Sequence, residues 1–353
     1  MSNKVLMKGN EAIAEAAIRS GCKHFFGYPI TPQTELSAYM AKKMPKIGGV
    51  FLQAESEVAA INMVYGAAGA GARTMTSSSS PGISLKAEGI SYIAGADIPC
   101  VIVDIVRGGP GLGGIQPAQS DYFQATKGGG HGDYHLIVLA PNSVQEIVSL
   151  TADAFNLSDT YRVPAMILGD GTLGQMMEPV DFDNVPKPLD IKKDWATDGT
   201  EGKRKHNIIN SLYLAPEELE EKIIERYQRY EKIKENEQRY ESHDVEDADI
   251  VISAYGTTSR VVESAVKTLR EEGYKVGVIR PITLWPFPVK AYKEAKNAKA
   301  FLSVEMSMGQ MVEDIKLATE GKAPVYFFGR TGGIIPTPEE IVEEVKKIAK
   351  EIK

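Results

Sequence analysis

Cysteine is scarce: only Cys22 and Cys100 occur in 353 residues, each within an apolar stretch. Two thiols cannot hold a four-thiolate iron–sulfur cluster, and the state expected for both is a buried, reduced side chain. Long apolar runs are missing as well. No stretch approaches the roughly 20 apolar residues of a membrane span. The start, MSNKVLMKGN, lacks the apolar core of a secretory leader, so the cytoplasm is the expected compartment. Nor is there an excess of positive charge. Against 40 Lys and Arg stand 47 Asp and Glu, a formal net charge of -7, which gives no broad electrostatic reason to bind nucleic acid or a membrane surface. Any anion must therefore be bound locally. The five histidines are scattered, and HGDYH (131–135) lacks the further ligands of a zinc or catalytic cluster and reads as a polar turn. What is present, 43% hydrophobic and 25% charged residues, suits globular packing and argues against a disordered or fibrous chain.

Up to about residue 174, short apolar runs (HFF, VFLQ, RTMT, CVIVDIV, HLIVLA, PAMILG) alternate with segments of helical period: NEAIAEAAIRSG, TELSAYMAKKM, SEVAAINMVYGAAGAG and a helix starting at Ser143. Asn10 is the expected cap of the first helix and Gly21 its stop. This order predicts a doubly wound parallel α/β sheet over 1–174. Residues 175–245 form a connecting segment with one long charged helix, PEELEEKIIERYQRYEKIKENEQRYESH, whose charges read as a solvated face. Alternation resumes over 246–353 (ADIVISAYG, KVGVIRP, AFLSVE, VYFFGR, then PEEIVEEVKKIAKEI), a second, smaller α/β domain.

In an open parallel sheet ligands bind beyond the carboxyl ends of the strands. Four successive strand ends carry unusual sequences: GYPITP, AESE, SSSSPG and RGGPGLGG. Each has a plain structural explanation alone. Pro29 and Pro32 stiffen a turn that Thr31 can cap, Glu55 and Glu57 suit a helix N-terminus, and serine-rich turns are common. Arg107, ending an apolar strand, requires a carboxylate or phosphate partner. The four together point to a shared crevice. GAAGAGAR (66–73) closes a helix and so fails the context of a dinucleotide fingerprint. GDG (169–171) begins like the magnesium motif of thiamine-diphosphate enzymes, but the region around DWATDGT lacks the asparagine that continues it.

GYPITPQT, ESEVAAINMVYGAA, TSSSSPGISLKAEGISY, IPCVIVDIVRGGPG and QSDYFQA, in this order, resemble the alpha subunit of 2-oxoacid:ferredoxin oxidoreductases. GTTSR and VIRPITLWPFP resemble the transketolase C-terminal-type domain that follows in those subunits. MKGNEA, YPITPQ and the run QAESEVAAINMVYGAAGAGARTMTSSSSPGISLK look most like members acting on branched-chain 2-oxoacids. The resemblance implies that this chain supplies the pyrimidine-binding side of a thiamine diphosphate site. A separate beta subunit then carries the diphosphate and Mg2+, and gamma or delta subunits carry [4Fe-4S] clusters, none of them on this chain. It implies conversion of 2-oxoisovalerate to isobutyryl-CoA and CO2, with coenzyme A as co-substrate and electrons passing to ferredoxin. By the same resemblance Glu57, not Glu55, holds the aminopyrimidine; Thr31 meets the substrate near the reacting carbonyl; Arg107 binds the substrate carboxylate; Asp121 orients Arg107; and Pro29 and Ser79 line the cofactor pocket. A 2-oxoglutarate enzyme of the same chemistry, with an added cationic partner for the distal carboxylate, and a noncatalytic scaffold of the same fold stay open on sequence alone.

Overall fold

The computed structural model describes residues 4–352. The chain runs β1 (Val5–Lys8), α1 (Gly9–Arg19), β2 (His24–Gly27), α2 (Thr34–Lys43), β3 (Val50–Gln53), α3 (Glu57–Gly69), β4 (Thr74–Ser78), α4 (Pro81–Gly95) and β5 (Val101–Val106). Then come α5 (Tyr122–Thr126), β6 (Ile137–Leu139), α6 (Val144–Tyr161), β7 (Ala165–Asp170), α7 (Gly171–Gln175), β8 (Met177–Val180) and the long α8 (Pro216–Asn236). The remainder is β9 (Tyr240–His243), β10 (Ile250–Ser253), α9 (Gly256–Glu271), β11 (Val276–Pro281), β12 (Thr283–Trp285), α10 (Val289–Glu294), β13 (Ala300–Glu305), α11 (Met311–Thr319), β14 (Val325–Gly329) and α12 (Pro338–Glu351).

Seven strands form the larger sheet in the order β12-β6-β7-β5-β4-β2-β3, parallel except where β12 joins β6. β4, β5 and β7 are buried along their whole length, because helices cover both faces. A five-stranded sheet, β14-β13-β10-β11-β9, makes the second unit, with β9 antiparallel at its edge. The doubly wound sheet and the smaller α/β unit are thus both present.

Several local expectations change. Asn10 does not cap α1, whose N-cap is Lys8; it is fully buried and donates to the Pro32 carbonyl (2.8 Å) and to Glu35 (3.0 Å). The charged helix ends at Asn236, and the YESH after it is β9, an edge strand of the second sheet. Its charges are not all solvated: Arg226 is buried against Asp97 (3.0 Å), and Arg229 pairs with the same carboxylate. HGDYH is no simple polar turn, for His135 stacks on Trp285 at 4.5 Å and lies edge-on to Tyr230. Both cysteines are free and buried, which pushes each thiol up to about 12. Among the described residues no helix is long and apolar enough to cross a membrane.

Candidate active site

Strands β5, β4, β2 and β3 are consecutive neighbours, so the four unusual segments leave one edge of the sheet side by side. The first of them, YPITP, is held from behind. Its Pro32 carbonyl accepts from Asn10 and Gln175, and the buried Gln33 carboxamide accepts from Ser77 Oγ at 2.6 Å. Thr31 is not a helix cap, since α2 starts at Thr34 behind Gln33. Thr31 and Pro29 are both exposed, and the Thr31 carbonyl accepts from Arg107 Nη1 (3.0 Å).

Glu57 opens α3, one residue after Ser56, whose hydroxyl caps the helix by accepting from the Ala59 amide. Burial separates the two candidate carboxylates: Glu55 is exposed and Glu57 only 6% exposed. No side chain or amide among the described residues donates to Glu57. Facing it is Gly82, where a Cβ would lie 2.0 Å from Ser78 Oγ and 2.9 Å from Glu57 Oε1, so only glycine leaves this space open. The hydroxyls of Ser78 and Ser79 are buried without a hydrogen-bond partner. An acceptor carboxylate, unpartnered hydroxyls and a gap that a methyl would fill together make a cradle for the polar edge of a flat ring.

Arg107 is 8% exposed, and its guanidinium reaches only carbonyls, those of Thr31 and Leu112 (3.0 and 3.1 Å), with Nε unpartnered. It forms no ion pair with any described residue. A buried cation without a counter-ion is costly unless an anion arrives. Asp121, expected to orient Arg107, makes no hydrogen bond with its guanidinium; it lies beside Asp104, and burial raises both carboxyls above their ordinary range. Burial and Asp121 hold Asp104 well above the usual carboxylate range. The Ser80 amide donates to Asp104 (3.1 Å), and its hydroxyl bridges the Arg107 backbone, fixing Ser80 at φ 21, outside the ordinary regions.

Beside these residues opens a cleft of about 780 Å³ between the start of α4, the GGPG loop and two loops of the second unit. Pro81, Leu85, Pro110 and Met308 line it; Asp121 is its one charged lining residue, and it has no Lys or Arg. Asp170 of GDG is spent elsewhere: its carboxylate accepts from the Thr172 and Leu173 amides at the start of α7. Gln33, Gly82, Lys86 and Asp104 escaped the sequence reading. Asp104 had a signal, a carboxylate inside the β-branched run VIVDIV; a Lys inside ISLKAEG was a weaker one.

The description "Pyruvate flavodoxin/ferredoxin oxidoreductase, thiamine diP-bdg" matches residues 15–255, and "Pyruvate:ferredoxin oxidoreductase core domain II" matches 248–341. The chain is 51% identical to the ketoisovalerate oxidoreductase subunit VorB of Methanothermobacter marburgensis, over 98% of each chain. Among solved structures it is similar to a 2-oxoglutarate:ferredoxin oxidoreductase from Magnetococcus marinus (TM-score 0.89, 32% identity), covering 100% of this chain and 66% of that longer one. A split-gene transketolase (TM-score 0.62, 13% identity, 98% and 99% covered) shares the fold alone.

Proposed function

Since the chain belongs to the 2-oxoacid:ferredoxin oxidoreductase family, we propose that it is the alpha subunit of a branched-chain enzyme. The reaction is coenzyme-A-dependent oxidative decarboxylation of 2-oxoisovalerate to isobutyryl-CoA and CO2, with electrons leaving to ferredoxin. The observation that carries this reading is one buried guanidinium that reaches carbonyls but no anion among the described residues, beside a cleft lined by no Lys or Arg. A 2-oxoacid with a hydrocarbon tail needs one cation, whereas 2-oxoglutarate needs two and would bring its distal carboxylate towards Asp121.

The cradle fits the aminopyrimidine ring of thiamine diphosphate, with Glu57 as its acceptor and Ser78 and Ser79 offering hydroxyls. When bound, that cofactor supplies the nucleophilic carbon that adds to the 2-oxo carbonyl. Arg107 grips the substrate carboxylate, a task that suits a planar fork of N–H donors. Thr31 donates to the carbonyl oxygen as negative charge builds there, and the stiff turn around it spares reorganisation. Pro29 forms part of the same wall, and the Asp104–Asp121 pair seats Ser80 and through it the Arg107 backbone. Among the described residues no cluster of His, Cys, Asp and Glu has the make-up of a metal site. The diphosphate, Mg2+ and [4Fe-4S] clusters belong to partner subunits: a beta chain, and gamma or delta chains. Residues 1–174 carry the pyrimidine side, 175–245 connect, and 246–353 close the cleft.

The test is an anaerobic assay of the copurified complex with 2-oxoisovalerate, pyruvate and 2-oxoglutarate in parallel, following coenzyme-A-dependent reduction of ferredoxin. The highest kcat/KM is expected for 2-oxoisovalerate; a preference for 2-oxoglutarate overturns the substrate assignment. A stable lone chain that never recovers partners or cofactor would instead indicate a scaffold.

A further inference from the structure

Of the side chains that line the cleft, two are large and aliphatic: Leu85 of α4 and Met308 of the second unit. Both stand out into solvent, Leu85 at 54% exposed and Met308 at 77%. One exposed apolar side chain is ordinary by itself. What sets Met308 apart is how firmly the turn that carries it is fixed.

That turn joins β13 to α11 and is built round Glu305, the last residue of β13. The Glu305 carboxylate is fully buried and accepts five hydrogen bonds: from the Ser303 and Ser307 hydroxyls (both 2.8 Å) and from the amides of Gln310, Met311 and Val312 (2.9, 3.0 and 2.9 Å). Gly309, next to Met308, takes a left-handed φ of 98, which suits glycine, and its amide donates to Ser307 Oγ (3.1 Å). Gly329 leaves room for the turn, since a Cβ there would fall 2.4 Å from the Ser307 carbonyl oxygen.

Both flanks are also pinned to the first unit. The Met306 amide donates to the Gln119 side chain (2.9 Å), and the Met306 carbonyl accepts from the Gln119 amide (2.8 Å). The Gln310 carboxamide donates to the Ser120 carbonyl and accepts from the Phe123 amide, both at 2.7 Å. The segment gripped in this way carries Asp121 of the cleft. Met308 therefore stands between two fixed points. Its backbone is ordered before any ligand arrives, while its side chain stays adaptable.

We propose that Met308 is a specificity-determining residue: together with Leu85 it covers the branched hydrocarbon tail of the 2-oxoacid, so that the second unit selects the tail while the first holds the carboxylate. This rests on the reading of the chain as part of a branched-chain enzyme. An apolar tail gains by taking both side chains out of water. A distal carboxylate would be desolvated there with no Lys or Arg to meet it, and the single methyl of pyruvate offers less surface to cover.

The test uses the complete complex carrying Met308→Ala or Met308→Leu, assayed anaerobically for coenzyme-A-dependent ferredoxin reduction with 2-oxoisovalerate, pyruvate and 2-oxoglutarate. Met308→Ala should lower the ratio of kcat/KM for 2-oxoisovalerate over pyruvate about tenfold, chiefly by raising KM for the branched acid. Met308→Leu, which restores apolar volume, should keep that ratio near the wild-type value. An unchanged ratio in Met308→Ala, with wild type preferring 2-oxoisovalerate, overturns the role of Met308 and leaves the branched-chain reading standing. A wild-type preference for 2-oxoglutarate or pyruvate overturns that reading and this inference with it. Loss of a partner subunit from Met308→Ala would make Met308 an interface residue and equally refute the proposal.

Discussion

Arg107 and Glu57 share an unusual condition: each is a buried ionisable group that forms no ion pair with any described residue. The price differs with the group: a guanidinium reaching only carbonyls awaits an anion, while a carboxylate at a helix N-terminus is partly compensated by the dipole. Arg107→Ala in the assembled complex should raise KM for 2-oxoisovalerate about tenfold to a hundredfold, with a smaller change in kcat, as expected for one lost charge-assisted interaction. An unchanged KM would remove the substrate carboxylate from Arg107. Glu57→Gln should lower turnover by about a hundredfold or more with subunit composition intact; near-normal turnover would sink that assignment. Sequence alone brought these residues into view, because strand-end segments with proline, serine and glycine are conspicuous. It could not show the partner of Asp121. Arg107 is nearer than Asp104 in chemical expectation, but the pleat of β5 turns Asp104 towards Asp121, and pleat direction depends on register with neighbouring strands.

The elements around the cradle depend on two close approaches. A Cβ on Gly89 would fall 2.4 Å from Ile61 Cγ2, so α3 and α4 pack together only because one of them lacks a side chain there. Gly89→Ala should cost about 1–3 kcal/mol through overpacking, read as a lower thermal midpoint of the complex. Gly82→Ala acts differently: its methyl would occupy the cradle beside Ser78 and Glu57, so cofactor affinity should fall while subunit composition is kept. Wild-type affinity in Gly82→Ala would argue that the ring binds elsewhere. Strands such as VFLQ were readable to the residue, since β-branched and aromatic runs between helices leave few alternatives. α4 was not, because SSSSPG resembles a loop and the residues after it are apolar on nearly every side, leaving no stripe to betray a helix. The burial of Arg226 was equally hidden, for only the approach of Asp97 from another segment makes it a clamp rather than a solvated charge.

At the scale of the whole chain, the segment between Arg107 and α5 fastens one unit to the other. The Gln119 carboxamide donates to the Tyr255 carbonyl and accepts from Thr258 and the Met306 amide, and the Tyr122 hydroxyl donates to Asp314 at 2.6 Å. Gln119→Ala leaves several buried groups unpaired at about 1–3 kcal/mol each. It should lower the thermal midpoint and, because Asp121 lies two residues on, weaken 2-oxoisovalerate binding; a variant that melts like wild type would make this joint dispensable. Two α/β units were legible from alternation along the chain, but not how they interlock, since strand order is a property of space. β12 illustrates the point: it arises after β11 of the smaller sheet, yet pairs with β6 and completes the edge of the larger one. The halves are therefore not interchangeable cassettes. Separating the two units would leave β6 with an unprotected row of main-chain donors and acceptors, an invitation to self-association.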